Sequence, residues 1–318
     1  MGITKLKKMN VKNNNKIKME SVNQAKLISN EDRLDEEIKN IVKQQEKNNE
    51  THDLCIILAN PIKTELFLNS LRLVSYTKSS LGIFCTNERL TICDLTKREY
   101  IQIDIPMYFF NSYRIKDNKQ NFLISSSDLI SVLTTFKKDK MRTLVISLDN
   151  KMNLLLIDFI DTKGKLKKYE LPLISNKDLM ETQLKENDFE TFEKIRNQCK
   201  NKISLNTIDF FDLVNEVTFI QDNEILFKAI DDNLILTNTH KQKKSEVLVT
   251  QIIAKFELEN KTKEVSNLFN FHQIQGIANS LKFIADSITI FLDNKLPLAI
   301  QTNEYIKLYY LSAPMIKK

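Results

Sequence analysis

Glycine is nearly missing from this chain: only Gly2, Gly82, Gly164 and Gly276 occur in 318 residues. Isolated glycines exclude a P-loop, a dinucleotide fingerprint and a nucleophile elbow, each of which needs glycines at close spacing. Histidine is as scarce. His52, His240 and His272 are far apart, and neither an H-E-x-x-H motif nor a calcium loop is present. The four cysteines, Cys55, Cys85, Cys93 and Cys199, form no C-x-x-C pair. Reduced, buried thiols are the expectation, with no zinc site and no disulfide framework. No apolar run reaches the length of a membrane span, and no apolar segment follows the basic N-terminus. Met1-Gly2 opens like a myristoylation signal, but Leu6 stands where that signal needs Ser or Thr. A soluble intracellular protein that takes no cofactor or metal is expected.

Two acidic pairs remain as candidate cation ligands. Asp231-Asp232 before Asn233 reads as a tight turn between strands, and Asp158 with Asp161 has no third ligand. Enzymatic activity is therefore not expected.

What the sequence does contain is charge and strand. The net charge is +6, from 47 basic and 41 acidic residues. Much of the excess lies near the start, where Lys5, Lys7, Lys8, Lys12, Lys16 and Lys18 precede any acidic residue. Such a stretch buries little and suits either a solvated tail or an arm on phosphates. Ser29, Glu31 and Asp32 then open a helix to about Lys47, with a stripe of Leu34, Ile38, Ile41 and Val42.

From Leu54 onward the pattern is strand-rich. Helices are expected at Pro61 to Ser75, from a Ser126 or Ser127 cap to Phe136, at Thr207 to Phe219 and at Asn270 to Ala285. They recur at intervals of roughly 65 to 80 residues with strand meanders between them, an internal repeat. Short connections between strands imply mainly antiparallel sheets. The domain reading is an extension over 1–52, a domain over 53–174, a polar connector over 175–192 and a second domain over 193–318. The chain ends in a hairpin, Leu296 to Ile300 and Ile306 to Ile316, whose second arm carries two tyrosines and Pro314.

That end, with Pro297 to Ala299 and Lys307-Leu308-Tyr309-Tyr310-Leu311-Ser312-Ala313-Pro314-Met315-Ile316, resembles the proliferating cell nuclear antigen family of DNA sliding clamps. The family closes with a Val-Pro-Leu strand and a Lys-Tyr-Tyr-Leu-Ala-Pro-Lys-Ile tail; here Ser312 is one residue extra. The resemblance implies an α+β DNA-clamp (processivity) fold. Each of two similar domains has two helices packed on antiparallel β-sheets, and the N-terminal extension is an addition. It also implies a homotrimeric ring around duplex DNA, placed on the DNA by a clamp loader. The ring tethers a DNA polymerase and other replication or repair proteins that carry clamp-binding peptides.

By position, the peptide groove implied is Cys93, Leu179, Met180, Pro297, Tyr310, Leu311, Pro314 and Ile316. DNA contacts fall to Lys63, Arg72, Lys78, Lys137, Lys138, Lys140 and Lys282 on or beside the helices, with the arm lysines Lys5, Lys7, Lys8 and Lys12. The subunit interface falls on edge strands near Lys168 to Leu173 and Glu246 to Thr250, through Tyr169, Leu171, Val247 and Val249. Pro172 removes one ladder donor there. The expected location is the nucleus, or a cytoplasmic replication factory for a viral protein. A hetero-oligomeric checkpoint ring, a monomeric polymerase accessory protein and a β-rich scaffold that binds no DNA are the alternatives.

Overall fold

A computed structural model describes residues 36–75, 80–95, 99–135, 141–161, 163–174, 187–217, 223–240 and 243–315. They fall into two units, 1–50 and 51–318. In the first, helix α1 covers 36–48, and Asn49 closes it by donating its side-chain amide to the Gln45 carbonyl at 2.8 Å.

The second unit carries the remaining elements. Its first half contains β1 (Leu54–Leu58), α2 (Pro61–Ser75), β2 (Ser80–Thr86), β3 (Arg89–Leu95), β4 (Glu99–Pro106), β5 (Ser112–Ile115), β6 (Lys119–Ser125), α3 (Ser126–Leu133), β7 (Met141–Asp149), β8 (Leu154–Asp161) and β9 (Leu166–Pro172). Helix α4 (Asn187–Gln198) follows, lying partly where the sequence reads as polar connector. The second half contains β10 (Asn201–Asn206), α5 (Thr207–Glu216), β11 (Glu224–Ile230), β12 (Asn233–His240), β13 (Lys243–Val249), β14 (Ala254–Glu257), β15 (Val265–Asn270), α6 (Phe271–Leu281), β16 (Ser287–Leu292), β17 (Leu298–Thr302) and β18 (Lys307–Ser312).

Three antiparallel sheets result. Their orders are β5-β1-β7-β8-β9, β14-β10-β16-β17-β18-β4-β3-β2-β6 and β13-β12-β11-β15. The nine-stranded sheet crosses from one half to the other through a single ladder, Lys307↔Asp104 to Ser312↔Glu99, between β18 and β4. The chain's last strand therefore joins the two halves.

Each helix pair fills the space between two sheets. Packing runs in the order α3–α2–α6–α5, giving one helix layer. Leu54, Ile56, Phe67, Leu71, Ile83 and Phe159 fill the first half of the core; Phe210, Phe227, Phe269, Ile274 and Ile290 fill the second. The helix starts are set by side chains that accept otherwise orphaned N–H groups. Asn206 caps α5 at Ile208 N (2.8 Å), Asn270 caps α6 at Gln273 N (3.1 Å), and Ser125 caps α3 at Asp128 N (3.3 Å). The cap of α3 is thus one residue before the expected Ser126 and two before Ser127.

Asp231-Asp232 forms a turn and Asp161 closes another, while Asp158 lies within β8. Asp231 and Asp232 have φ of 51° and 55° in the two-residue loop between β11 and β12, the primed geometry that matches strand twist. Asp161 Oδ1 accepts the N–H groups of Lys163 at 2.8 Å and Lys165 at 2.7 Å. Burial raises the Asp158 carboxyl pKa, an effect opposed by Lys168 and His52. Among the described residues no group of three or more His, Cys, Asp or Glu could hold a metal ion, and no helix is long and apolar enough to cross a membrane. The four cysteines are buried and none is in a disulfide.

Candidate functional site

Strand alternation decides which terminal side chains share a face. On β18, Leu308 and Tyr310 point to the helix layer, and Tyr309 and Leu311 point to the outer side of the sheet. The registers Leu311↔Tyr100, Ala299↔Leu311 and Phe291↔Ala299 then place Tyr100, Phe291, Ala299, Tyr309 and Leu311 in one outward apolar strip. Tyr310 is 0 % exposed within the main core, so it does not line the groove that the sequence placed there. Leu311 does belong to the strip. Cys93 lies in strand β3 rather than on a loop, opposite Gln102, which is itself opposite Tyr309. It shares the outer face two strands away, about 10 Å by strand spacing.

The strip is covered. Helix α4 lies across β17 and β18. The Phe192 side chain is 0 % exposed, and its ring meets Tyr309 edge-to-face at a centroid distance of 5.0 Å. Ile195 and Leu296 pack at the margin, and Cys199 is buried in the same cluster. Pro297 and Pro314 are half-buried. Beyond β18 the tail is held by the Met315 N–H, which donates to the Leu268 carbonyl of β15 at 2.7 Å. Leu179, Met180 and Ile316 lie outside the described residues. Phe192, Tyr309, Tyr100 and Phe291 were missed. The alternation of β18 would have found Tyr309; the other three needed the sheet order.

A buried polar ladder borders the strip. Gln102 Nε2 donates to Asp104 Oδ1 at 2.9 Å, as does Thr91 Oγ1 at 2.8 Å, and Arg89 pairs with the same carboxylate at 3.3 Å. The Tyr100 hydroxyl closes the row on Gln102 Oε1. Burial first, and the Asp104 carboxylate second, push the Tyr309 phenol up to about 12. A folded pKa above the ordinary tyrosine value of about 10 means the neutral ring stabilises the fold fully below that pH. That contribution is lost as pH climbs from about 10 towards 12. Tyr309→Phe is expected to flatten this part of a stability-against-pH profile measured by denaturant titration.

The helix layer is the second candidate surface, and its charge is not what a phosphate-binding face requires. Lys63, Arg72 and Lys282 are outnumbered by Glu65, Asp128, Asp209, Asp212 and Glu216 along α2, α3, α5, α6 and the residue after α6. The three cations also have partners inside the chain. Arg72 donates to Asn69 Oδ1 and to the Leu133 carbonyl at the end of α3, both at 3.0 Å. Lys282 Nζ stands 3.3 Å from the Phe211 ring centroid and 5.1 Å from that of Phe283. Lys63 Nζ is 5.5 Å from the Phe109 ring centroid. Lys78, Lys137, Lys138 and Lys140, and the arm lysines Lys5, Lys7, Lys8 and Lys12, lie outside the described residues. Arg72→Ala is expected to lower stability by about 1–3 kcal/mol, because a charge-assisted bond to a helix-end carbonyl is lost. Thermal unfolding tests this; duplex binding is expected to stay the same.

The third surface is a pair of open sheet edges. β9 ends the five-stranded sheet and β13 the four-stranded sheet, and no described strand forms a ladder along either outer edge; just past β9, Leu173 makes one isolated antiparallel bridge to Ile124 of β6. These are the two edges expected from the sequence. The named side chains there turn inward: Leu171 and Val249 are buried, and Tyr169 and Val247 are packed against the core. Leu166, Lys167, Lys168, Glu170 and Pro172 on β9, with Lys244, Glu246 and Leu248 on β13, are exposed. Just past β9, the Leu173 N–H donates to the Asn153 carbonyl and the Ile174 N–H to the Leu123 carbonyl of β6, both at 3.0 Å, so β6 meets the chain where β9 ends. Pro172 has no N–H to donate at that end of the strand.

Helix pairs lying between antiparallel sheets, in two halves that share one long sheet, define the α+β fold of the DNA clamps. Two solved structures carry it. The proliferating cellular nuclear antigen from Entamoeba histolytica superposes with a TM-score of 0.67 at 14% identity, covering 84% of this chain and 100% of that one. The corresponding antigen from Thermococcus kodakaraensis gives 0.66 at 14%, covering 82% and 100%. No protein-family model matches the chain, and no curated protein matches it in sequence.

Proposed function

We propose that this chain is a non-catalytic sliding clamp, a ring subunit that keeps a DNA polymerase and other partner proteins on duplex DNA. The observation that carries the reading is the pair of open edges, β9 in one half and β13 in the other, on a clamp framework. Two different edges allow one copy to pair head-to-tail with the next, and such contacts form a ring when the rotation closes. Partners carrying an aromatic-anchored peptide dock on the outer strip of Tyr100, Phe291, Ala299, Tyr309 and Leu311. A clamp loader opens the ring. The setting is the nucleus, or a cytoplasmic replication factory if the protein is viral.

A second reading is favoured by specific residues. Lys167, Lys168, Glu170 and Pro172 on β9, with Lys244 and Glu246 on β13, are the charges and the proline that keep sheet edges from pairing. The acidic helix layer points the same way. On this reading the chain is a monomeric or hetero-oligomeric accessory subunit that docks partners without encircling DNA. Light scattering at micromolar concentration, with and without duplex DNA, separates the two. Three times the chain mass of 37.1 kDa supports the ring. A single chain mass under both conditions rejects the homotrimer.

A further inference from the structure

We propose that α4 is an intramolecular ligand for the chain's own docking strip, and that partner peptides bind by displacing it. The inference rests on the reading of the outer strip as a docking surface.

Three side chains hold the helix down. Phe192, Ile195 and Cys199 stand at i, i+3 and i+7, the spacing by which an amphipathic helix lays one face into an apolar groove. Between these three, Glu193, Lys194, Arg196, Asn197 and Gln198 are all polar. The Arg196–Glu193 ion pair stays on the helix itself and adds nothing to its grip on the sheet.

The cluster that α4 joins is separate from the main core. It contains Tyr100, Phe192, Cys199, Phe291, Ala299, Tyr309 and Leu311, on the sheet face opposite the helix layer. Lifting α4 therefore uncovers the strip and leaves the packing around Tyr310 intact. The departure has a fixed pivot. Cys199 N–H donates to the Ile195 carbonyl at 2.9 Å, and β10 begins two residues later, locked between β14 and β16. The occupant that fits the uncovered strip is a peptide with the chemistry of α4: an aromatic anchor, an aliphatic residue one turn on, and a small residue one turn further. Such a peptide competes for the place of the Phe192 ring against Tyr309.

The test uses the full chain and two fluorescent probes. One is a synthetic peptide of residues 187–199 with Cys199→Ser; the other carries a glutamine, an aliphatic residue and two aromatics. Binding is measured to the wild type and to Phe192→Ala, with circular dichroism as the check on folding. The expected result is at least a tenfold gain in affinity for the 187–199 probe in Phe192→Ala, lost again when the phenylalanine at position 192 of the probe is replaced by alanine. If that probe binds both proteins equally or neither, α4 is not a displaceable ligand. The second probe separates the failures. Its binding to both proteins alike keeps the docking surface and rejects the plug. Its failure on both, while the first probe binds the variant, keeps the plug and rejects the clamp-type partner. Hydrogen exchange on the wild type guards against misfolding of the variant. Amides of 192–198 are expected to exchange at least tenfold faster than those of β17 and β18; exchange only with global unfolding overturns the proposal.

Discussion

Tyr310→Ala is expected to cost about 3–5 kcal/mol of folding stability, the range for emptying a fully buried aromatic site. The ring is 0 % exposed and belongs to the main core. Its strand joins the two halves, paired with β17 on one side and β4 on the other. A cavity there weakens the packing of both halves at once, and a domain's whole stability is only about 5–15 kcal/mol. Denaturant unfolding gives the figure. A loss below about 1 kcal/mol would mean the ring stands outside the core, as a groove residue does. Leu311→Ala one position on removes a side chain from the smaller outer cluster, so a smaller loss is expected there.

Deleting residues 1–28 is expected to lower affinity for duplex DNA by about 100-fold or more at low salt and to flatten its salt dependence. The deletion removes Lys5, Lys7, Lys8, Lys12, Lys16, Lys18 and Lys26. Each lysine on a phosphate adds about 0.9 to the slope of log affinity against log salt, so six contacts account for about five units. The described part of the helix layer does not offer that attraction. Its described charges are three basic against five acidic, and the basic ones are held by Leu133, Phe211 and Phe109. An unchanged salt slope after deletion would place duplex binding elsewhere or remove it. In the variant Asp209→Lys with Asp212→Lys, the repulsion from α5 is reversed, and a gain in affinity would show that duplex passes along that layer.

Much of the fold is legible in the sequence because its signals are local. Pro61 at a helix start, Asn270 before an apolar stripe of Phe271, Ile274 and Ile277, and Asp231-Asp232 between two strands each state their role within a few residues. The short strands β5 and β6 were not legible. Ser112–Ile115 and Lys119–Ser125 carry little alternation, and each forms because a neighbouring strand, β1 or β2, offers it a ladder. Helix α4 is similar: its polar sequence shows three apolar anchors only once a sheet is there to receive them.

The candidate site divides the same way. Beyond the two edges, which the resemblance to the clamps implied, the sequence by itself determined the order of helices and strand meanders, the missing donor at Pro172 and the apolar end of the chain. These follow from periodicity, proline chemistry and composition, which act over a few residues. Only the tertiary structure decided that Tyr310 is core and Tyr309 is surface strip. A shift of one residue turns a strand side chain to the opposite face, and the Lys307↔Asp104 register with β4 fixes which face is which. Only the tertiary structure, too, placed Phe192 on that strip and tied Arg72 to the Leu133 carbonyl. Those contacts join residues more than a hundred and about sixty positions apart, and no local pattern encodes a meeting at that separation.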